Sequence, residues 1–208
     1  MRRTVLLAPM MTLLLLCACG GGGETKDPFL DIQAKFQQAQ AIQTEATLTC
    51  DYQDEVRTYE LFCAYTPEKS RVEVTAPEAV AGVAAAWDGE AMTLSYDDMM
   101  LDAGPYSDTD MSPLWAVPAL LQAAAEGYPL ETGTENLGDT ACLRITFETG
   151  RREERILYHT LWLTGDGTPL RGEIAGEEGL VYTVEFESFT IEERESNGAD
   201  AETDLGGN

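Results

Sequence analysis

The 208-residue chain is poor in positive charge: 13 Lys plus Arg stand against 37 Asp plus Glu, for a formal charge of −24. A surface of that sign repels phosphate backbones, which excludes nucleic acid as a partner. Histidine is nearly absent. A single imidazole, His159, excludes zinc sites built on two histidines and leaves one candidate base for the whole chain. Long apolar runs are also missing. The longest, Val5 to Leu16, covers about 18 Å as a helix against a hydrocarbon core of roughly 30 Å, so a spanning helix is not expected. What is present is a hydrophobic content of 44%, enough for the core of one ordinary domain.

Arg2 and Arg3, the apolar run, and Leu16-Cys17-Ala18-Cys19 read as an export signal with cleavage after Ala18. The segment resembles the lipobox of bacterial lipoproteins, with Cys19 as the matching cysteine. Cys17 follows Leu16 directly and leaves with the peptide. The resemblance implies a diacylglyceryl group on Cys19 and an amide-linked third chain, which suffice for stable anchoring. The expected location is extracytoplasmic, with the membrane as partner through that lipid. Gly20 to Gly23 form a flexible spacer. Loss of Arg2 and Arg3 takes the charge from −24 to −26, so the acyl chains alone must hold the protein at an anionic surface. The expected divisions are a signal over 1–18, a lipidated tether over 19–27, a folded domain over 28–191 and an acidic, disordered tail over 192–208.

Within the domain, Phe29, Ile32, Phe36 and Ala39 or Ala41 recur at helical spacing between Asp27 and Gln43, with Pro28 at the first turn. Beyond them the period becomes two. Folding the chain about Asp88-Gly89 sets Ala85 opposite Met92 and Val83 opposite Leu94. Folding it about Asp166-Gly167 sets Leu163 opposite Leu170, Leu161 opposite Gly172 and His159 opposite Ile174. The loop Glu177-Glu178-Gly179 then pairs Ile174 with Tyr182 and Leu170 with Phe186. Ile156, Tyr158 and Trp162 share the opposite face, which marks a place covered on both sides. About ten strands are expected. A second helical segment runs from Ser112 as N-cap, through Pro113, to Gly127, with Pro118 able to divide it in two. Two helices cannot seal a sheet of that size, so the expected fold is mainly β: an incomplete antiparallel β-barrel, or half-barrel, closed by an N-terminal helix and a central helical segment.

The order of helix and strands, the stretch Ala76-Pro77-Glu78-Ala79-Val80-Ala81-Gly82-Val83, the Asp-Gly hairpin, the Ser112-Pro113 helix, Pro169-Leu170 and the closing Val184-Glu185-Phe186 resemble the LolA/LolB-type lipoprotein-carrier superfamily over residues 28–191. The lipid-anchored Gram-positive members, including clostridial germination lipoproteins, are the branch it resembles most. The resemblance implies the same incomplete barrel. Cys19 departs from the soluble carriers, since a tethered chain cannot shuttle. An anchored binder of an acyl chain or lipid-like ligand is expected, or else a scaffold that positions a cell-envelope protein such as a peptidoglycan amidase.

No nucleophile, base and orienting group can be assembled around His159, so no catalytic residue, metal or cofactor is expected. Asp97, Asp98, Asp102, Asp108 and Asp110 lack the spacing of a calcium loop and read as a solvated acidic loop. Cys50 and Cys63 lie on one face of consecutive strands, and a register centred near Val56-Arg57 sets them opposite each other. They form either a disulfide or two thiols beside an unpaired Cys142. Trp87, Met92, Leu94, Met99, Leu101, Leu114, Trp115, Leu120 and Phe186 either line a ligand groove or fill a dry core.

Overall fold

A computed structural model describes residues 28–105, 112–152, 155–176 and 181–193. The signal, Cys19 and its tether, Asp108, Asp110, the Glu177-Glu178-Gly179 loop and the tail beyond residue 193 lie outside the described residues. Helix α1, Pro28–Gln38, buries Phe29, Ile32 and Phe36 on one face. It ends five residues before the expected Gln43. From Ile42 to Cys50 every second residue is buried, and Ala39 to Gln43 pair with Glu193 to Thr190, so sheet hydrogen bonding takes over from the helical pattern.

The strands are β1 Ala39–Asp51, β2 Val56–Tyr65, β3 Ser70–Ala76, β4 Ala84–Trp87, β5 Ala91–Tyr96, β6 Met99–Pro105, β7 Pro129–Leu137, β8 Thr140–Arg152, β9 Arg155–Leu163, β10 Pro169–Gly176 and β11 Val181–Glu193. They form one sheet in the order β6-β5-β4-β3-β2-β1-β11-β10-β9-β8-β7. Two meanders thus run outward from a central β1–β11 pair, every neighbour antiparallel. β6 and β7 do not pair, so the sheet stays open: the expected half-barrel with covering helices. β7 was invisible to periodicity because all of it but Leu137 is exposed. β11 runs two residues past the expected domain end, to Glu193.

The connection from β6 to β7 contains a 3-10 turn, Pro113–Trp115, and helix α2, Ala116–Glu126. Ser112 caps the turn without a side-chain hydrogen bond. Pro118 does not divide the segment: it is the third residue of α2, where a missing N–H leaves no helical bond unmade. Nine of the eleven residues of α2 are buried, five of them alanines, which lets the helix sit close to the sheet. Gly172 on β10 marks the closest approach, since a Cβ there would run into Leu120 Cδ1. Helix α1 is bound to the end of α2: Gln33 Nε2 donates to the Gly127 carbonyl (2.9 Å) and Gln37 Nε2 to that of Ala125 (2.8 Å). Phe29 meets Phe147 at 5.7 Å and Phe36 meets Phe189 at 6.0 Å between ring centroids, which seats α1 on β8 and β11.

The turns correct three registers. Between β1 and β2, Tyr52 to Glu55 form a tight turn in which Gln53 has φ +70° and donates its N–H to Asp51 Oδ1 (2.8 Å). Val56 and Arg57 therefore start β2. Cys50 pairs with Arg57 and Cys63 with Thr44, so the two cysteines are not opposite each other, and both are free and buried. At Asp88-Gly89 the side chain of Asp88 accepts the N–H groups of Glu90 and Ala91 (3.3 and 3.2 Å). The loop between the strands is thus the three residues Asp88 to Glu90, and Ala85 faces Leu94 while Trp87 faces Met92. Instead the Val83 carbonyl accepts Val74 N–H (2.9 Å), and Gly82 N–H donates to the Val74 carbonyl (2.8 Å). Leu163 pairs with Pro169 and not Leu170, because a bulge follows Pro169. The pairs Leu161–Gly172, His159–Ile174 and Ile174–Tyr182 are as expected.

The convex face is covered by side chains in place of a second layer. Trp162, 6% exposed, lies beneath the guanidinium groups of Arg144 (5.8 Å) and Arg171 (5.4 Å) and donates Nε1–H to Glu135 (3.1 Å). Thr146 and Thr160 share a buried hydroxyl bond of 3.0 Å beside it.

Candidate functional site

The concave face is unevenly covered. The 3-10 turn and α2 lie over its middle, and Trp115 meets Trp87 edge-on at 4.9 Å. Toward β6 the cover ends: Met92 and Leu94 are half-buried, while Leu101 and Met99 are 62% and 66% exposed. Apolar floor without a lid is the geometry expected when too few helices meet too wide a sheet.

Among the described residues, this half of the molecule has a cavity on each face of the sheet. The larger, about 400 Å³, lies where β1 and β3 begin and β2 and β4 end, on the face opposite the helices: Gln43, Ala64, Arg71, Ala86 and Thr93 lie in the row that faces it, while Ile42, Tyr65 and Trp87, also at its lining, belong to the neighbouring row that faces the covered side. Two turns frame it. Thr66 N–H donates to the Lys69 carbonyl (2.6 Å), and the Thr66 hydroxyl donates to that same carbonyl (3.1 Å). Gly89, at φ +95°, brings the second turn against the Glu68 carbonyl. Lys69 and Asp88 thereby stand at its rim. The smaller cavity, about 200 Å³, lies between the sheet and the 3-10 turn, lined by Tyr59, Leu61, Val74, Val80, Val83 and Leu114 among others. Only the larger reaches the size common for small-molecule sites, roughly 300–1,000 Å³.

Of the nine apolar positions singled out in the sequence, Trp87 lines the larger cavity and Leu114 the smaller. Trp115 and Leu120 are core, 5% and 0% exposed, and Phe186 is half-buried against it. Met92, Leu94, Met99 and Leu101 form the bare strip toward β6. Sequence reasoning missed the alanines Ala41, Ala64, Ala86 and Ala91 and the residues Lys69 and Arg71. The available signal was the repeated placement of alanine on neighbouring strands, where larger residues would fill the space.

His159 is buried at 3% exposure on β9, between Phe147 and Ile174. Its Nδ1 has no hydrogen-bond partner among the described residues, and burial lowers its pKa from 6.5 to about 4, so the ring is neutral at physiological pH. Neither cavity touches it. Burial raises the Cys50 thiol to about 11 and Cys63 to about 12. Among the described residues no group of three or more His, Cys, Asp or Glu side chains is placed to hold a metal ion, and no helix is long and apolar enough to cross a membrane.

The sequence matches no protein-family profile and no curated protein. Solved structures similar to the chain include an uncharacterised conserved protein from Thermus thermophilus, 15% identical over 80% of this chain and 86% of that one, with a TM-score of 0.47. A LolA superfamily protein from Nitrosomonas europaea is 13% identical over 79% and 94% of the two chains, with a TM-score of 0.42. The Mycobacterium tuberculosis lipoprotein LppX is 14% identical over 77% and 95%, with a TM-score of 0.38.

Proposed function

We propose that this chain is an extracytoplasmic lipoprotein, anchored by lipid on Cys19, whose half-barrel binds an acyl chain or a lipid-like group without catalysing a reaction. The observation that carries this reading is the uneven cover of the concave face: an apolar cavity of about 200 Å³ under the 3-10 turn, lined by Leu61, Val74, Val80, Val83 and Leu114, beside a strip of bare Met and Leu. Burial supplies the driving force. At about 0.8 kcal/mol per methylene, a chain with some twelve buried carbons offsets the cost of association without a charged contact. Native mass spectrometry of the chain with Cys19→Ser, which cannot be acylated, is expected to show co-purified lipid. A clean apo mass, together with failure to displace a fluorescent fatty acid, overturns the reading.

A second reading has its own support. β6 is an open sheet edge that presents Met99, Met100 and Leu101 at 66%, 79% and 62% exposure, and such an edge is a template for pairing with another protein. On this reading the chain is a scaffold that positions a cell-envelope enzyme, such as a peptidoglycan amidase, as in the Gram-positive germination lipoproteins. A stoichiometric partner recovered from envelope extracts, with recovery indifferent to lipid occupancy, supports it. Loss of recovery on lipid removal counts against it.

A further inference from the structure

We propose that the domain meets the membrane through a second, apolar contact: Leu30, Tyr128 and Leu130, gathered at the start of α1, enter the interface of the bilayer that holds the lipid on Cys19. This rests on the anchoring reading above and adds which face of the domain is turned to the membrane.

Two sets of contacts bring these residues together. Gln37 and Gln33 of α1 donate to the carbonyls of Ala125 and Gly127 (2.8 and 2.9 Å), so α1 and the end of α2 pass each other antiparallel. The next step in the same direction sets Leu30 beside Tyr128. Phe29 rests on Phe147 with 5.7 Å between ring centroids, and Gly127 lies against the same ring, where a Cβ would come within 2.6 Å of Phe147 Cδ1. Leu30 and Tyr128 are the chain neighbours of Phe29 and Gly127, and Pro129, just before Leu130, pairs with Phe147. The buried Phe29 and Phe147 thus hold in place three side chains that face water: Leu30 is 56%, Leu130 59% and Tyr128 90% exposed.

The tether names the occupant of this patch. Nine residues, Cys19 to Asp27, precede Pro28, and at full extension they reach about 32 Å. With its acyl chains in the bilayer, Cys19 therefore keeps the first turn of α1, and Leu30 in it, within that distance of the surface. A protein partner could use any exposed face, whereas a membrane contact must lie where the tether begins. Leucine and tyrosine suit that place, since a tyrosine ring sits among apolar groups at headgroup level while its hydroxyl stays wet. Charge does not forbid the approach. The β8–β9 hairpin continues past Phe147, and from Glu148 to Arg155 it carries three arginines against three glutamates, neutral in a chain of −24. Asp31, Glu126 and Glu131 flank the patch in sequence, so a zwitterionic bilayer fits it better than an anionic one.

The test uses the full chain, produced with its lipid and reconstituted into vesicles of phosphatidylcholine with or without brominated acyl chains, which quench a nearby indole. Tyr128→Trp places an indole in the patch. Asn136→Trp places one at the far end of β7, where the strand is also exposed, and the unsubstituted chain gives the background from Trp87, Trp115 and Trp162. The fluorescence added by Tyr128→Trp is expected to fall about twofold in brominated vesicles, as for an aromatic ring at headgroup level, while that added by Asn136→Trp stays unchanged. Leu30→Glu in the Tyr128→Trp chain should restore most of the lost signal, because a carboxylate resists leaving water. All three positions are exposed, so circular dichroism should be the same throughout. If Tyr128→Trp is quenched no more than Asn136→Trp in chains that float with the vesicles, or Leu30→Glu leaves the quenching as it was, the inference is wrong while the anchor stands. If the purified chain carries no diacylglyceryl group by mass and does not float with the vesicles, the anchoring reading falls and this inference with it.

Discussion

His159 shows how one residue couples burial to pH. The folded state keeps it neutral with a pKa near 4, against 6.5 when exposed, so between those values the unfolded chain binds a proton that the folded chain refuses. Stability from this residue is therefore complete above pH 6.5 and is lost as the pH falls toward 4, by on the order of 3 kcal/mol. His159→Leu, flanked by Phe147 and Ile174, should remove that slope. Urea unfolding of both proteins at pH 7, 5.5 and 4 reads the difference, in which the many carboxylates cancel. Parallel profiles would mean that His159 is not buried in the neutral form. The cysteines make a second residue-scale case. With thiols raised to about 11 and 12 and no opposing partner, Cys50 and Cys63 should resist iodoacetamide at pH 8 until urea unfolds the chain, and dithiothreitol should leave the Tm unchanged. Peptide mass spectrometry showing a Cys50–Cys63 bridge would contradict the register of β1 and β2.

Between elements, the decisive contact is α2 against β10. Gly172 has no side chain because Leu120 occupies its place, so Gly172→Ala should destabilise the protein by about 1–3 kcal/mol through overpacking. Pairing it with Leu120→Ala should give less than the sum of the two single losses, as thermal unfolding of the four proteins can show. A fully additive result would place α2 farther from the sheet. This contact could not be read from sequence, although its two partners could: Leu120 fell on an apolar helix face and Gly172 opposite Leu161 in a hairpin. Alternation revealed the face of each strand from β1 to β5 and from β8 to β11, because one buried side forces period two. It could not reveal β7, which buries almost nothing, and it placed Cys50 opposite Cys63 because registers depend on turn length, which Gln53 and Asp88 set through local hydrogen bonds. The candidate site was legible only through Trp87 and Leu114. A cavity is made by small residues, and alanines carry no apolar signal strong enough to stand out.

At the scale of the whole molecule, an open sheet of eleven strands has two ends to protect. The β7 end is defended by composition: it carries Glu131 and Glu135, both bound to Arg144 of β8, and is exposed to water throughout except at Leu137. The β6 end has the opposite character, with Met99, Met100 and Leu101 exposed on both faces and the acids Asp97, Asp98 and Asp102 around them. Edge pairing between copies would bring those acids, and two chains of charge −24, into proximity, so charge repulsion is expected to oppose it. That repulsion acts through water and is screened within about 10 Å at 0.1 M salt and 3 Å at 1 M. Self-association of the Cys19→Ser chain, followed by sedimentation velocity, should therefore rise as salt is increased. Met100→Lys, at a side chain 79% exposed, should suppress the rise while shifting stability by less than about 0.5 kcal/mol. If association is indifferent to salt, or Met100→Lys leaves it unchanged, charge is not what guards this edge, and the bare strip must be shielded by a partner or ligand instead.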